Sequence, residues 1–306
     1  MPEQYASAAA VESAIRDAAS LASKVDGAPN KDQLILREYF NRFLSRIFSD
    51  GESSEWVLKG GTGILARVPS TRSTMDIDLY REGFSLDEAL KELRVLSSVD
   101  LDDHFRFEYV KHDSSLATDA QPYVDGCRVT FNIYLGVAPK GKLQVDLVTG
   151  SGMTEEATVI EPQGALLLPR LNSSPYRIHP VVDQMADKIC ATMTVYNGRN
   201  SSRVKDLVDL VVFATTQRID GTSLSEAIDS ERRRRRMDSF EEFVVPSDWG
   251  AGYAKFTKSV RQLHAYESFE RAVDLVSRLI DPALQGIANG SVWQPNSLRW
   301  VPENPS

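Results

Sequence analysis

Cysteine and histidine are scarce in this chain, which has two of the first and four of the second among 306 residues. Cys127 and Cys190 fall in apolar periodic segments with no CxxC pair. That excludes a thiolate metal knuckle or a disulfide framework and reads as two buried thiols in a reducing compartment. His104, His112, His179 and His264 show no paired metal spacing, and neither a GxSxG elbow nor a Cys/His nucleophile pattern occurs. Hydrolase chemistry of those kinds has no support. No stretch approaches the ~18 apolar residues of a membrane span, and residues 1–20 lack a basic start followed by an apolar run, so the expected place is the cytoplasm with no membrane partner. Basic charge is in deficit as well. Lys plus Arg number 35 against 43 Asp plus Glu, a formal charge of -8, so nucleic acid would have to be met by a local basic patch. What remains is 42% hydrophobic and 25% charged, an ordinary globular composition long enough for two domains.

Helical spacing is clear from Asp32 to Phe48, where Leu36, Tyr39, Phe40, Phe43, Leu44 and Ile47 share a face. The Ala- and Ser-rich residues before it read as helical or loose. Trp56–Lys59 is an expected strand, Thr62–Val68 a short helix stopped by Pro69, and Met75–Tyr80 the next strand. Ser85 with Glu88 forms a capping box for a helix running to about Leu96. Phe105–Val110, Cys127–Leu135 and Leu143–Val148 read as strands joined by turn-rich linkers such as Ala138–Lys142, and such short connections favour antiparallel pairing. From His179 the strand signals stop. Helices are expected at Pro180–Tyr196, Ser202–Thr216 and Ser223–Met237, with a final pair between Asp248 and Ile280 and an irregular tail beyond Gly290. The composition shift near Pro169–Pro175 marks the expected boundary between domains 1–175 and 176–306.

The densest chemistry lies in LKGGTGILARVPSTRSTMDIDLY, Leu58 to Tyr80. Asp76 and Asp78 alternate along a strand of period two and share a face. Two carboxylates that close repel, and a divalent cation is the common reason to tolerate them. A glycine turn with room for a polyphosphate beside such a pair is what nucleotidyl transfer needs. Asp146, in LQVDLV, is a third strand carboxylate that a mixed sheet could bring alongside, and three carboxylates would suit two Mg²⁺ ions. GTGILA, Gly61 to Ala66, also fits a loose GxGxxA dinucleotide fingerprint. Its helix is cut short at Pro69, however, and the strands that follow do not alternate with crossover helices. The bland reading of Asp76 and Asp78 is the solvated face of an edge strand.

In the helical half, Lys188 lies at the edge of an apolar stripe through Val182, Met185, Ile189, Met193 and Tyr196. It is either a snorkelling surface lysine or a cation facing the cleft, able to bind triphosphate or protonate leaving pyrophosphate. Val204, Val208 and Val211 mark a buried helix face and leave Asp206 and Asp209 as i, i+3 neighbours elsewhere on that helix. Arg232–Arg236 is the one strong charge run. Five arginines wrap a helix, so some must cover acidic surface, while the rest, with Lys140, Lys142, Arg199 and Arg203, could form a track for an RNA end.

These residues resemble the AbiEii-type nucleotidyltransferase toxins, including the mycobacterial MenT toxins, a branch of the DNA polymerase β-like superfamily. Gly60, Gly61 and Thr62 with Asp76 and Asp78 match the family's first motif, and Arg72 and Thr74 match the Arg and hydroxyl residue ahead of the acidic pair. Lys188 in DQMADKICA and the helix RVKDLVDL, Arg203 to Leu210, match the later motifs, so the resemblance spans about residues 30 to 280. It implies an α+β fold, a mixed-sheet polymerase β-like core followed by an α-helical domain, with the site in the cleft between. It also implies an Mg²⁺-dependent enzyme, with Mn²⁺ possible, that moves a nucleoside monophosphate from an NTP to the 3′ end of tRNA, blocks translation and answers to an antitoxin of a type IV-like system. Asp76 and Asp78 would hold the metal, with Asp146 as a third ligand or an aid to the hydroxyl. Gly60, Gly61, Thr62, Arg72 and Thr74 would bind triphosphate, while Lys188 and Asp206 complete the site and Asp209 orients Arg203 or Lys188. Asp78→Ala and Lys188→Ala are expected to abolish transfer and leave folding intact. The alternatives are a nucleotidyltransferase acting on a protein or small-molecule hydroxyl, and a non-catalytic nucleotide- or RNA-binding module.

Overall fold

Alternation of buried and open positions along the strands sets the architecture of the first half of the chain. The computed structural model describes residues 4–25, 27–69, 74–113, 125–150, 152–195, 198 and 200–303. It divides into one unit of Met1–Gly152 with Ala157–Ile178 and a second of Met153–Glu156 with His179–Ser306.

The first unit opens with helices α1 (Ala8–Ala22) and α2 (Lys31–Ile47). Ser7 caps α1 by accepting the Ala10 N–H, so the Ala-rich start is helix. Asn30 and Gln33 form a reciprocal capping box on α2, which satisfies N–H groups that a helix start leaves without partners. Then follow β1 (Trp56–Leu58), α3 (Gly60–Arg67), β2 (Asp76–Glu82), α4 (Leu86–Ser97), β3 (Phe105–Asp113), β4 (Asp125–Leu135), β5 (Ala138–Gly150), β6 (Thr158–Ile160) and β7 (Tyr176–Ile178). The Ser85–Glu88 box on α4 is present as the sequence implies. Among the described residues the strands form one sheet of order β3-β4-β5-β2-β1-β7-β6. Pairing is antiparallel except for β2 with β5 and β1 with β7. A mixed sheet with a β3-β4-β5 meander is not the doubly wound parallel sheet that a dinucleotide fingerprint requires.

One face of this sheet is dry. Ile77 and Leu79 on β2, Val145 and Leu147 on β5, and Cys127, Val129 and Phe131 on β4 are fully buried. Phe43 of α2 packs on Phe131 and Phe107 at 5.2 Å between ring centroids in each case. Period two then sends Asp76, Asp78, Asp146 and Arg128 to the opposite face. The Ala138–Lys142 stretch is the first part of β5, and the turn sits one step earlier at Gly136–Val137, between paired Leu135 and Ala138. Gly136 has φ +59°, which suits the first central position of a two-residue II′ hairpin.

The second unit contains α5 (Val181–Met193), α6 (Val204–Thr216), β8 (Ile219–Asp220), α7 (Gly221–Arg234), α8 (Gly250–Tyr253), α9 (Phe269–Leu284), β9 (Ser291–Gln294) and β10 (Arg299–Pro302). α6 is buried on every side from Asp206 to Ala214 and acts as the central helix of this unit. Strand structure does not stop at His179. β8, β9 and β10 form a small antiparallel sheet, and the tail beyond Gly290 is a hairpin rather than irregular chain. Trp293 of β9 donates its indole N–H to the Ala214 carbonyl of α6 at 2.7 Å, so burial of an aromatic, with its polar atom satisfied, holds the hairpin down. No helix among the described residues is long and apolar enough to cross a membrane.

Candidate active site

Three central strands of the first unit line up one row of charge. Asp78 of β2 is the cross-strand partner of Asp146 on β5, and Asp146 is the partner of Arg128 on β4. Asp76, two residues before Asp78, lies beside Gln144 on the same face. Arg128 grips Asp146 with two parallel bonds, Nε to Oδ1 at 2.6 Å and Nη2 to Oδ2 at 2.7 Å. The geometry is the fork-to-fork pairing that guanidinium and carboxylate favour. Asp146 foremost, and more distantly Asp76 and Asp78, hold the Arg128 pKa above its ordinary value. Nothing in the sequence reading gave Arg128 a role. Its place depends on a bulge: Tyr134 pairs with Pro139 but Ile133 with Gly141, so Lys140 is an extra residue and every later pair is shifted by one.

The glycine turn stands against this row. Gly60 has φ +56°, and a Cβ there would lie 2.0 Å from Asp78 Oδ2. The position therefore requires glycine twice over, for its left-handed backbone and for the space that the carboxylate takes. The Lys59 N–H donates to the Asp78 carbonyl at 2.8 Å, and the Thr62 hydroxyl donates to the Asp76 carbonyl at 2.7 Å. Thr74 reaches the same carbonyl at 3.4 Å. Gly60, Gly61 and Thr62 make the first turn of α3, whose N–H groups have no intrahelical acceptors and favour an anion. Arg72 lies outside the described residues. A shallow recess in this unit is lined by Leu34, Leu65, Ala66 and Thr62 among others, but not by Asp76 or Asp78.

Oxygen donors alone, two carboxylates on one strand face, fit a hard divalent cation that keeps waters and takes its remaining ligands from phosphate. The room that Gly60 leaves beside Asp78 Oδ2 fits the same use. Among the described residues no three His, Cys, Asp or Glu side chains converge as a metal cage.

The second unit holds a separate network. Lys188 of α5 is only 4% exposed, and Asp206 and Asp209 of α6 are 3% and 0% exposed. The Lys188 ammonium reaches Asp206 at 3.2 Å and Asp209 at 2.7 Å, and Arg203 reaches Asp206 at 2.5 Å. Lys188 is thus not a snorkelling surface lysine, and its two aspartate partners are buried with it. Three buried charged groups persist because each has an opposite charge within hydrogen-bond distance.

The arginine run is taken up within its own unit. Arg235 is 2% exposed in its side chain and bonds Asp187 of α5 at 2.5 Å and Glu231 at 2.7 Å. Arg232 and Arg233 both pair with Asp229, and Arg234 lies 3.6 Å from Glu231. Of the other residues expected in an RNA track, Lys140 pairs with Glu12 at 2.8 Å and Arg199 lies outside the described residues. The run pairs mainly with acids of α7 itself, and Arg235 adds a clasp to α5.

The family model for the nucleotidyl transferase AbiEii toxins of type IV toxin-antitoxin systems matches residues 42–275. The chain belongs to the AbiEii family. Among solved structures, MenT4, a nucleotidyltransferase toxin of Mycobacterium tuberculosis H37Rv, aligns over 90% of this AbiEii chain and 99% of its own at 16% identity, with a TM-score of 0.51. JHP933 of Helicobacter pylori aligns over 83% and 94% at 16% identity, with a TM-score of 0.43. No curated protein sequence matches this AbiEii chain. At such identity the MenT4 likeness speaks for the fold, and the family match is what makes this a nucleotidyltransferase-family protein.

Proposed function

We propose that this AbiEii-family protein transfers a nucleoside monophosphate from an NTP to the 3′ end of tRNA, releases pyrophosphate and so blocks translation until an antitoxin intervenes. The observation that carries the reading is the Asp76–Asp78 pair on one strand face, with Gly60 shaped around the second carboxylate. Asp76 and Asp78 would hold Mg²⁺, or Mn²⁺ in its place. The chemistry supplied there by a bound cation is polarisation of the triphosphate and a lowered pKa for the incoming hydroxyl.

The chain's own groups do the rest. The first turn of α3, with Gly60, Gly61 and Thr62, receives triphosphate oxygens on N–H groups that no helical carbonyl claims. Thr62 and Thr74 fix the backbone beneath Asp76, which sets the direction of its carboxylate. Arg72 adds positive charge to the triphosphate. The tRNA 3′ hydroxyl gives its proton to solvent water and its oxygen bonds the α-phosphorus, while the bond from that phosphorus to the bridging oxygen breaks and its electron pair leaves with pyrophosphate. Family resemblance assigns Lys188 the role of a cation for the leaving group and Asp206 that of orienting Lys188, and their ion pair at 3.2 Å supports the second role. Incubation of the full chain with Mg²⁺, each radiolabelled NTP, total tRNA and cell extract tests the proposal. Label in the tRNA band is the expected result. Label confined to protein or small molecules replaces the acceptor, and consumption of no NTP removes the enzymatic reading.

A further inference from the structure

Asp146 has the position of a third metal ligand and the bonding of something else. The sheet register puts it directly between Asp78 and Arg128, and both its carboxylate oxygens accept from the Arg128 guanidinium at 2.6 and 2.7 Å. Backbone ladders on both sides fix that neighbourhood, so separating the pair requires a rotamer change or a strand slip. The guanidinium is rigid, planar and always charged. A dication on Asp146 would have to share a carboxylate whose two oxygens both accept from a guanidinium.

We propose that Arg128 withdraws Asp146 from metal coordination and stands as a built-in cation on the acidic row, so that this site takes one divalent ion, on Asp76 and Asp78, where a three-carboxylate row would take two. Arg128 acts through Asp146 and is a positioning residue. The inference rests on the reading of Asp76 and Asp78 as a cation-holding pair.

Titration of the full-length protein with Mn²⁺ alone, followed by electron paramagnetic resonance, tests it without any turnover. The expected count is one Mn²⁺ per chain for the natural protein, with a spectrum free of coupling between neighbouring ions, which two metals ~4 Å apart would show. Arg128→Gln is expected to bind two, and the second should disappear in Arg128→Gln/Asp146→Asn. Arg128→Lys, which keeps the charge at that position, should still bind one. Two coupled Mn²⁺ ions in the natural protein overturn the inference and leave the reading of the acidic pair standing. A count that stays at one in a folded Arg128→Gln protein also overturns it. No Mn²⁺ bound to the natural protein removes this inference and the reading beneath it together. Should Arg128→Gln fail to fold, the counts for the natural protein and Arg128→Lys decide alone.

Discussion

Replacing Lys188 by Ala should damage the fold before it damages any reaction. The substitution removes an ammonium that contacts Asp206 at 3.2 Å and Asp209 at 2.7 Å in an interior where all three residues are nearly sealed from water. Removing one partner of a buried ion pair costs about 3–5 kcal/mol, because the remaining charge must be neutralised or hydrated in place. Two carboxylates are affected here, and Arg203 at 2.5 Å stays beside Asp206. At roughly 4 °C of melting temperature per kcal/mol for a unit of this size, the expected loss is about 12–20 °C. Differential scanning calorimetry of Lys188→Ala measures it. A cycle of Lys188→Met, Asp209→Asn and the double variant measures the coupling, expected at roughly 1–3 kcal/mol. A Lys188→Ala protein that melts within about 3 °C of the natural one would refute the buried network. The expectation that this substitution leaves folding intact is accordingly revised, and loss of transfer in it has meaning only at temperatures where the variant is shown to be folded.

Gly60→Ala places a Cβ 2.0 Å from Asp78 Oδ2 at φ +56°. The backbone strain of ~1–2 kcal/mol should lower melting by roughly 3–8 °C, and Mn²⁺ affinity should fall at least tenfold; unchanged Mn²⁺ binding would count against the cradle. Asp78→Asn keeps the shape and removes one of two like charges paired across β2 and β5. It should melt within about 2 °C of the natural protein and lose at least ~10²-fold in NMP transfer, and retained transfer would dismiss Asp78 from the site. Burial pushes the Cys127 thiol up to about 11 and the Cys190 thiol up to about 12. Their thiolate fractions at pH 8 are then about 10⁻³ or less, and reactivity should rise only as pH climbs toward those values. A disulfide reagent should label neither in the native protein at pH 8 and both after denaturation. Arg235→Ala should cost about 1–3 kcal/mol through Asp187 and Glu231, whereas Arg233→Ala, at an exposed pair, should cost under ~1 kcal/mol. Equal melting temperatures for the two variants would refute the clasp.

How much was legible depended on whether a residue's neighbours were local. The Asn30 side of α2 aside, helix caps and periodic faces could be read directly: Ser85 and Glu88 three apart, Phe43 and Ile47 on one stripe, Asp76 and Asp78 two apart. Asp146 could be placed beside them because a buried strand with one polar residue shows which face that residue takes. The burial of Asp206 and Asp209 was not legible because α6 is buried on every side from Asp206 to Ala214, and a stripe has no meaning on a helix stretch with no solvent side. β6, β8, β9 and β10 are two to four residues long, too short to display a period. Arg128 was hidden by the hairpin bulge. Counting back from the Leu135–Ala138 turn sets Arg128 opposite Val145 and on the wrong face, and only the extra Lys140 corrects the count.

The clasp formed by the arginine run has a kinetic consequence. A chain of formal charge -8 that pairs Arg232, Arg233 and Arg235 of its most basic segment with Asp229, Glu231 and Asp187 has little with which to draw a polyanion from a distance. Encounter with a nucleic acid should therefore proceed without electrostatic steering. Its association rate should be insensitive to added salt or rise with it, opposite to the steep fall shown by proteins that approach phosphate through an open basic surface.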